Sequence, residues 1–326
     1  MTPFLGNGFL EQMTESETTD SLDPFVLLDP FVLLDALIPH VSDLFSAIKQ
    51  KQKKSHHLLE QLIKRICLLC DRKPNAVLAA IHLSNQASPI KQAIYITAFT
   101  YMLSKQQNIT GETLTSLLQA AITCNMSFYE LQVLLNTVDG NLTESQRIKV
   151  EKHVIKGTQF VEAAGFFDPV MTKAMRQHHE RLDGSGYPNQ LVDEEISTLA
   201  LIIGICETYT ARIDNRAHRK SLHPRAALSE LFADPSPRIK ELLLNFVKSI
   251  GVYPPGTWVK LASGETALVI AVQQQKPTPI VTALFDPNGI PYMGPVSRDC
   301  SLEEFKVKAP GAPPCRPSMQ LSALFN

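Results

Sequence analysis

An excess of charge of either sign is the first thing the sequence lacks. Its 31 lysines and arginines stand against 32 aspartates and glutamates, a formal net charge of −1 over 326 residues. A nucleic-acid polymer as partner calls for a clear basic surplus, so none is expected, although a small anion could still be held by a few local arginines. No apolar run reaches eighteen residues and no secretory pattern opens the chain. A soluble, cytoplasmic protein without membrane insertion is the expectation. The six cysteines are scattered; Cys67 and Cys70 form a lone CxxC inside the apolar run RICLLC, with no second pair nearby. Core packing is expected of them, rather than a structural zinc or a redox pair. Nor does strand-helix-strand alternation occur anywhere before residue 250, which argues against a parallel α/β sheet.

What is present is mainly helical. The length and an apolar fraction of 44% suffice for a sizeable core. Residues 1–36 read as a flexible N-terminal arm in which DPFVLL is stated twice, at Asp23–Leu28 and Asp29–Leu34. Such an arm could cover the main body or join a second copy in a homodimer. Residues 37–250 return apolar side chains at three- and four-residue spacings, the signature of a helical domain. One long helix is expected over NLTESQRIKVEKHVIKGTQFVEAAGF, opened by a capping box of Thr143 and Gln146, and another from Pro169. Residues 251–295 carry short β-branched runs between Ser-Gly, Lys-Pro and Asn-Gly turns, a small antiparallel meander. The remainder, 296–326, is proline-rich and expected to be irregular.

The densest chemistry lies in RQHHERLDGSGYPNQL, from Arg176 to Leu191. Neighbouring residues of a helix point about 100° apart, so His178 and His179 reach one site only near a helix end. Asp183 follows, then Gly184 and Gly186, which permit backbone shapes closed to other residues, and Pro188 fixes the exit. His153 lies on the preceding helical stretch and Glu207 on the following one, and antiparallel packing would gather them. Imidazole and carboxylate donors suit iron, manganese or zinc. Two readings stay open at this point: one such ion on His153, His178, His179 and Glu207, or no metal, with capping histidines and a structural turn.

HHERLDGSGYP strongly resembles the signature of the HD-GYP family, metal-dependent phosphohydrolases that cleave the bacterial messenger cyclic di-GMP. The resemblance extends over roughly residues 37–290, and SIGVYPPGTWVKLASGETALVIAV is similar to the segment that succeeds the helical bundle in family members. It implies an all-helical HD-type bundle with a small C-terminal antiparallel β meander. It also implies a metal cluster, in which a carboxylate bridges cations that act on a phosphodiester. The chain departs from that pattern where the family reads approximately LLxAALLHDIGK. Here LLQAAITCNMSF puts Cys124 for the histidine, Asn125 for the bridging aspartate and Phe128 for the lysine. Upstream, LSNQASPIKQA offers Ser84 and Ser88 in place of acidic and histidine ligands, and CETYTA offers Glu207 for an aspartate, while KHVIKG keeps His153.

Asparagine supplies no negative charge to bridge two cations, and Glu130, the nearest downstream acid, is expected on another helical face. No residue of the chain is therefore expected to be catalytic in the family reaction. The implied function is a degenerate HD-GYP domain that docks onto signalling proteins or senses cyclic di-GMP. The alternative is a weakly active metal-dependent phosphodiesterase on cyclic di-GMP or another phosphoester. The family's phosphate-binding SxRPYR reads DNRAHRK here, which makes Arg216 and Arg219 candidate phosphate ligands, with His218 at the tyrosine position. Asp183 and Tyr187 are further candidates for ligand contact. The loop carrying Arg181, Asp183, Gly184, Gly186, Tyr187 and Pro188 resembles a docking surface for diguanylate cyclase domains. No receiver, membrane or cyclase segment is recognised, so input is expected to come through a partner.

Overall fold

The computed structural model describes residues 29–84, 88–135, 143–215, 221–234, 236–273 and 278–325. They form a helical bundle followed by a small antiparallel sheet, the architecture the sequence implies. The first helix, α1 (Pro30–Lys49), begins inside the stretch expected to be a loose arm. The Asp-Pro of the second DPFVLL copy is a helix start: the Asp29 carboxylate accepts from the Phe31 N–H and Pro30 takes the first helical position. Leu33, Leu34 and Leu37 are buried, so this part of the arm belongs to the core, while the first copy lies outside the described residues. By length and composition α1 could cross a membrane, but its Leu33, Leu37, Val41, Leu44 and Ile48 pack into the core cluster of the bundle.

Helices α2 (Lys54–Arg72) and α3 (Pro74–His82) lead to α4 (Pro89–Gln106), whose residues from Ile90 to Ser104 are all buried. This central helix packs against α1, α2, α5 (Gly111–Thr123), α10 (Thr198–Ile213) and α12 (Pro237–Ile250). Phe99 of α4, Tyr209 of α10 and Phe246 of α12 meet edge to face with centroids 5.1–5.7 Å apart. Cys67 and Cys70 are buried on α2 as packing residues. After α6 (Tyr129–Leu135) the helix expected as one piece is two, α7 (Glu144–Glu151) and α8 (His153–Ala163). Thr143 and Gln146 do form the capping box. The break at Lys152 separates a helix that buries nothing from one that buries His153, Val154, Gly157 and Val161. Helices α9 (Pro169–Gln177) and α11 (Pro224–Leu231) complete the set among the described residues.

Gly251, at φ +86°, ends α12 and turns the chain into the sheet. Five antiparallel strands, β1 (Trp258–Leu261), β2 (Thr266–Ala271), β3 (Ile280–Phe285), β4 (Pro291–Asp299) and β5 (Val307–Pro310), lie in the order β4-β3-β2-β1-β5. Strand β5 corrects the expectation of an irregular tail: Val307–Pro310 pairs with β1, and Leu321–Phe325 makes a further turn of helix. A run this short between prolines gives little β pattern to read, and Pro310 is tolerated because the strand lies at the sheet edge. On one face Glu265, only 3% exposed, accepts from Arg298, Tyr292 and Ser263. The other face joins the bundle: Leu268, Leu284 and Phe285 pack with Leu83, and the ring of Phe325 approaches that of Phe31 at 5.9 Å.

Candidate metal centre

The site grows from the ends of two helices and the middle of a third. His153 opens α8, while His178 and His179 follow the last turn of α9, where the helix no longer holds their side chains apart. One ring nitrogen from each of the three lies within 4.8 Å of the others. His153 Nδ1 is 2.5 Å from the Val150 carbonyl and His178 Nδ1 is 2.7 Å from the Met175 carbonyl. A carbonyl only accepts, so both δ nitrogens carry the proton and both Nε2 atoms present a lone pair. These two Nε2 atoms are buried with no hydrogen-bond partner. The Glu207 carboxylate, on α10, lies 3.6 Å from Nε2 of His178 and of His179. Lone pairs gathered beside a carboxylate, with no hydrogen bond between the histidines and Glu207, form a cradle for a cation. Zinc–nitrogen bonds of about 2.1 Å in a tetrahedral shell set nitrogens roughly 3.4 Å apart, so a modest contraction suffices. The residues therefore fit one Fe, Mn or Zn ion.

Burial keeps these imidazoles in the neutral, ligating form. It pulls His153 down to about 3, aided by the neighbouring His178, and lowers His178 against the opposing pull of Glu207. His179 is pushed well below its ordinary value, first by burial and then by the other two histidines. Close approach of α10 to the end of α9 depends on Gly204, where an added Cβ would lie 2.6 Å from the His178 carbonyl oxygen.

The glycine-rich loop is wrapped around Glu180. This side chain is buried, and its carboxylate accepts from the Asn189 N–H at 2.7 Å and the Leu191 N–H at 3.0 Å. An added Cβ at Gly186 would fall 2.4 Å from the Glu180 Cα, so the loop closes over the acid only as glycine. The closure stacks Tyr187 on His179, with centroids 4.6 Å apart and planes 23° from parallel. Sequence reasoning gives Glu180 no role. The signal that could have found it is an acid directly after paired histidines in a glycine-rich loop, where a carboxylate can gather backbone N–H groups. Asp183, the acid singled out instead, is exposed and hydrogen-bonded to the Ser185 N–H and hydroxyl, which hold its carboxyl below the usual range. The Arg181 guanidinium donates to the Glu180 carbonyl at 3.0 Å.

The turn after α5 brings the three substituted positions to the same place. The Asn125 amide donates to Glu207 at 2.6 Å, while its Oδ1 is buried without a partner. The Phe128 ring stands 5.3 Å from that of His153 as an apolar wall. Cys124 is buried, with its thiol on the Ala121 carbonyl. Burial, and then Glu207, push its pKa well up, so it stays protonated. Ser88 caps α4 by accepting from the Lys91 N–H, and Ser84 lies with Tyr95 in the lining of a separate pocket. Glu130 pairs with Lys49 at 2.7 Å. Arg216, His218 and Arg219 lie outside the described residues.

A helical bundle with three histidines gathered from two helix ends, beside a glutamate of a third helix, defines a class. Residues 59–235 match the model of the family described as HD domain, more than half of the chain, and the protein belongs to that family. Within it the chain groups with the HD-GYP proteins. It is 24% identical over 210 residues to the cyclic di-GMP phosphodiesterase PA4108 of Pseudomonas aeruginosa, covering 64% of this chain and 51% of the relative. To the cyclic di-GMP phosphodiesterase response regulator RpfG of Xanthomonas campestris it is 33% identical over 95 residues, 29% of this chain and 25% of that one. The chain thus spans about half the length, or less, of these relatives. The fold is shared with Bd1817, an HDG"Y"P protein from Bdellovibrio bacteriovorus, at a TM-score of 0.55 and 16% identity over 73% of this chain and 76% of that one.

Proposed function

We propose that the chain is a cytoplasmic signalling domain that holds one divalent transition-metal ion and engages the phosphodiester of a cyclic dinucleotide there, hydrolysing it slowly if at all. The observation that carries this reading is the gathering of three histidine nitrogens within 4.8 Å of one another, two of them orphaned, with the Glu207 carboxylate 3.6 Å from His178 and His179. An ion held there supplies Lewis acidity toward a phosphoryl oxygen. The chain's own residues supply the rest. Neutral His153, His178 and His179 donate lone pairs, Glu207 brings the negative charge, and Tyr187 over His179 covers one side. Cyclic di-GMP is the favoured ligand class because the relatives named for its hydrolysis match this chain. Turnover is limited by Asn125, which bonds the Glu207 carboxylate and adds no charge to hold a second cation. Phe128, beside His153, brings no cation at the position where the family resemblance implies a lysine.

A second reading, a docking module without turnover, is favoured by that pair of substitutions together with a preserved loop around Glu180. Diguanylate cyclase domains are the partner class it implies. Hydrolysis and equilibrium binding of cyclic di-GMP, each measured with Mn²⁺ or Fe²⁺ and with chelator, separate the two. Metal-dependent binding with slow cleavage supports the first. Absence of both cleavage and nucleotide binding, with capture of a cyclase domain, supports the second.

A further inference from the structure

A pocket of about 260 Å³ opens where α1, α3 and α4 meet, and it shares no lining residue with the histidine cluster. Phe31, Leu34 and Leu83 supply apolar wall, and Lys91, Tyr95, Ser84 and Asp35 supply polar groups. Lys91 is the deep charge, with its side chain 9% exposed, and it pairs at 2.8 Å with Asp35, whose side chain is 60% exposed at the mouth. Tyr95 is a buried phenol that lines the pocket beside Ser84. Asp35 is the one anionic partner of Lys91 among the described residues, so a buried ammonium with three donors has donors to spare. We propose that this pocket binds a small zwitterion with an apolar substituent, an α-amino acid of about leucine size. Its carboxylate meets Lys91 and the Tyr95 hydroxyl, its ammonium meets Asp35, and its side chain lies on Phe31, Leu34 and Leu83.

Charge decides the ligand class. A simple anion takes the spare Lys91 donors but is repelled by the Asp35 carboxylate already paired there, and a simple cation draws Asp35 away and strands a buried ammonium. A zwitterion satisfies both halves at once. Size agrees, since at roughly 30 Å³ per water molecule the pocket holds about eight or nine water volumes. Its position gives binding a consequence. Gln92, next to Lys91, donates at 2.6 Å to Asp214 at the end of α10, the helix that carries Glu207.

The test titrates the full chain calorimetrically with L-leucine, 4-methylpentanoate and 3-methylbutylamine, which keep the same apolar group and remove one charge at a time. Leucine is expected to bind at least about tenfold more tightly than either analogue, and K91M and D35N each to weaken it by at least about tenfold. Lack of leucine binding overturns the proposal, as does equal affinity for 4-methylpentanoate, which would mark an anion site. Should K91M fail to fold by circular dichroism, D35N decides alone, because Asp35 lies at the surface; unchanged leucine affinity in folded D35N overturns the site.

Discussion

Replacing Glu180 by glutamine tests how the loop is held over the candidate metal centre. The carboxylate accepts two backbone N–H groups with two oxygens, from Asn189 and Leu191, in a buried position. Glutamine keeps the shape but offers one oxygen, so one N–H then faces an amide that only donates. A hydrogen bond to a charged group contributes about 1.5–3 kcal/mol, and a stranded buried donor costs about 1–3 kcal/mol. Glu180→Gln should therefore lower stability by about 2–3 kcal/mol, read by urea unfolding with an unchanged slope. The loop also sets Tyr187 against His179, so the same substitution should weaken metal binding by roughly 10- to 100-fold, the usual cost of losing a group that orients a ligand. Metal affinity is measured by competition with a chelating dye, on protein shown to be folded. Wild-type stability together with wild-type metal affinity would refute the argument that Glu180 organises the loop.

Gly204→Ala drives a methyl to within 2.6 Å of the His178 carbonyl, so it should destabilise by about 1–3 kcal/mol and loosen metal binding; thermal unfolding with and without metal reads both effects. Cys124→His with Asn125→Asp should not bring cyclic di-GMP hydrolysis to ordinary enzymatic rates of about 1 s⁻¹ or more, because Phe128 still walls the site, Ser88 still caps α4, and neither Ser84 nor Ser88 supplies an imidazole or carboxylate. A steady-state assay with Mn²⁺ checks this, and turnover in that range would show that the defects are not distributed. In the sheet, burial alone would raise the Glu265 carboxyl, yet hydrogen bonds from Arg298, Tyr292 and Ser263 bring it from 4.5 to about 2. Because the folded value lies below the unfolded one, the stabilisation is present above pH about 4.5 and fades as pH falls toward about 2. The shift corresponds to at most roughly 3 kcal/mol. Unfolding measured across that window should lose this dependence in Glu265→Gln.

Much of the fold is visible in local pattern. Prolines before apolar periodicity mark the starts of α3, α4, α9, α11 and α12, and Gly251 marks the change to strands. The first turns of α1 are hidden because Asp29-Pro30 reads equally as loop punctuation and as a cap, and only burial of Leu33 and Leu34 decides between them. Strand β5 is hidden because its pairing with β1 is long-range and its own four residues carry little pattern. The histidines and Glu207 are legible from type and order along the chain, since three successive helices must bring them together. The hydrogen bond from Asn125 to Glu207 and the role of Glu180 are not, because each depends on where a carboxylate points. The Lys91 pocket is built from three helices whose residues carry no joint motif in sequence.

The central claim, a single metal ion held by His153, His178, His179 and Glu207, is tested most directly by counting metal. Protein prepared without a histidine tag, reconstituted with Mn²⁺, Fe²⁺ or Zn²⁺ and freed of excess ion, is analysed for elements alongside His178→Ala. One ion per chain, reduced to background in His178→Ala, is the result the account predicts. No bound ion with any of the three metals would contradict it, and two ions per chain would show that Asn125 does not limit the site.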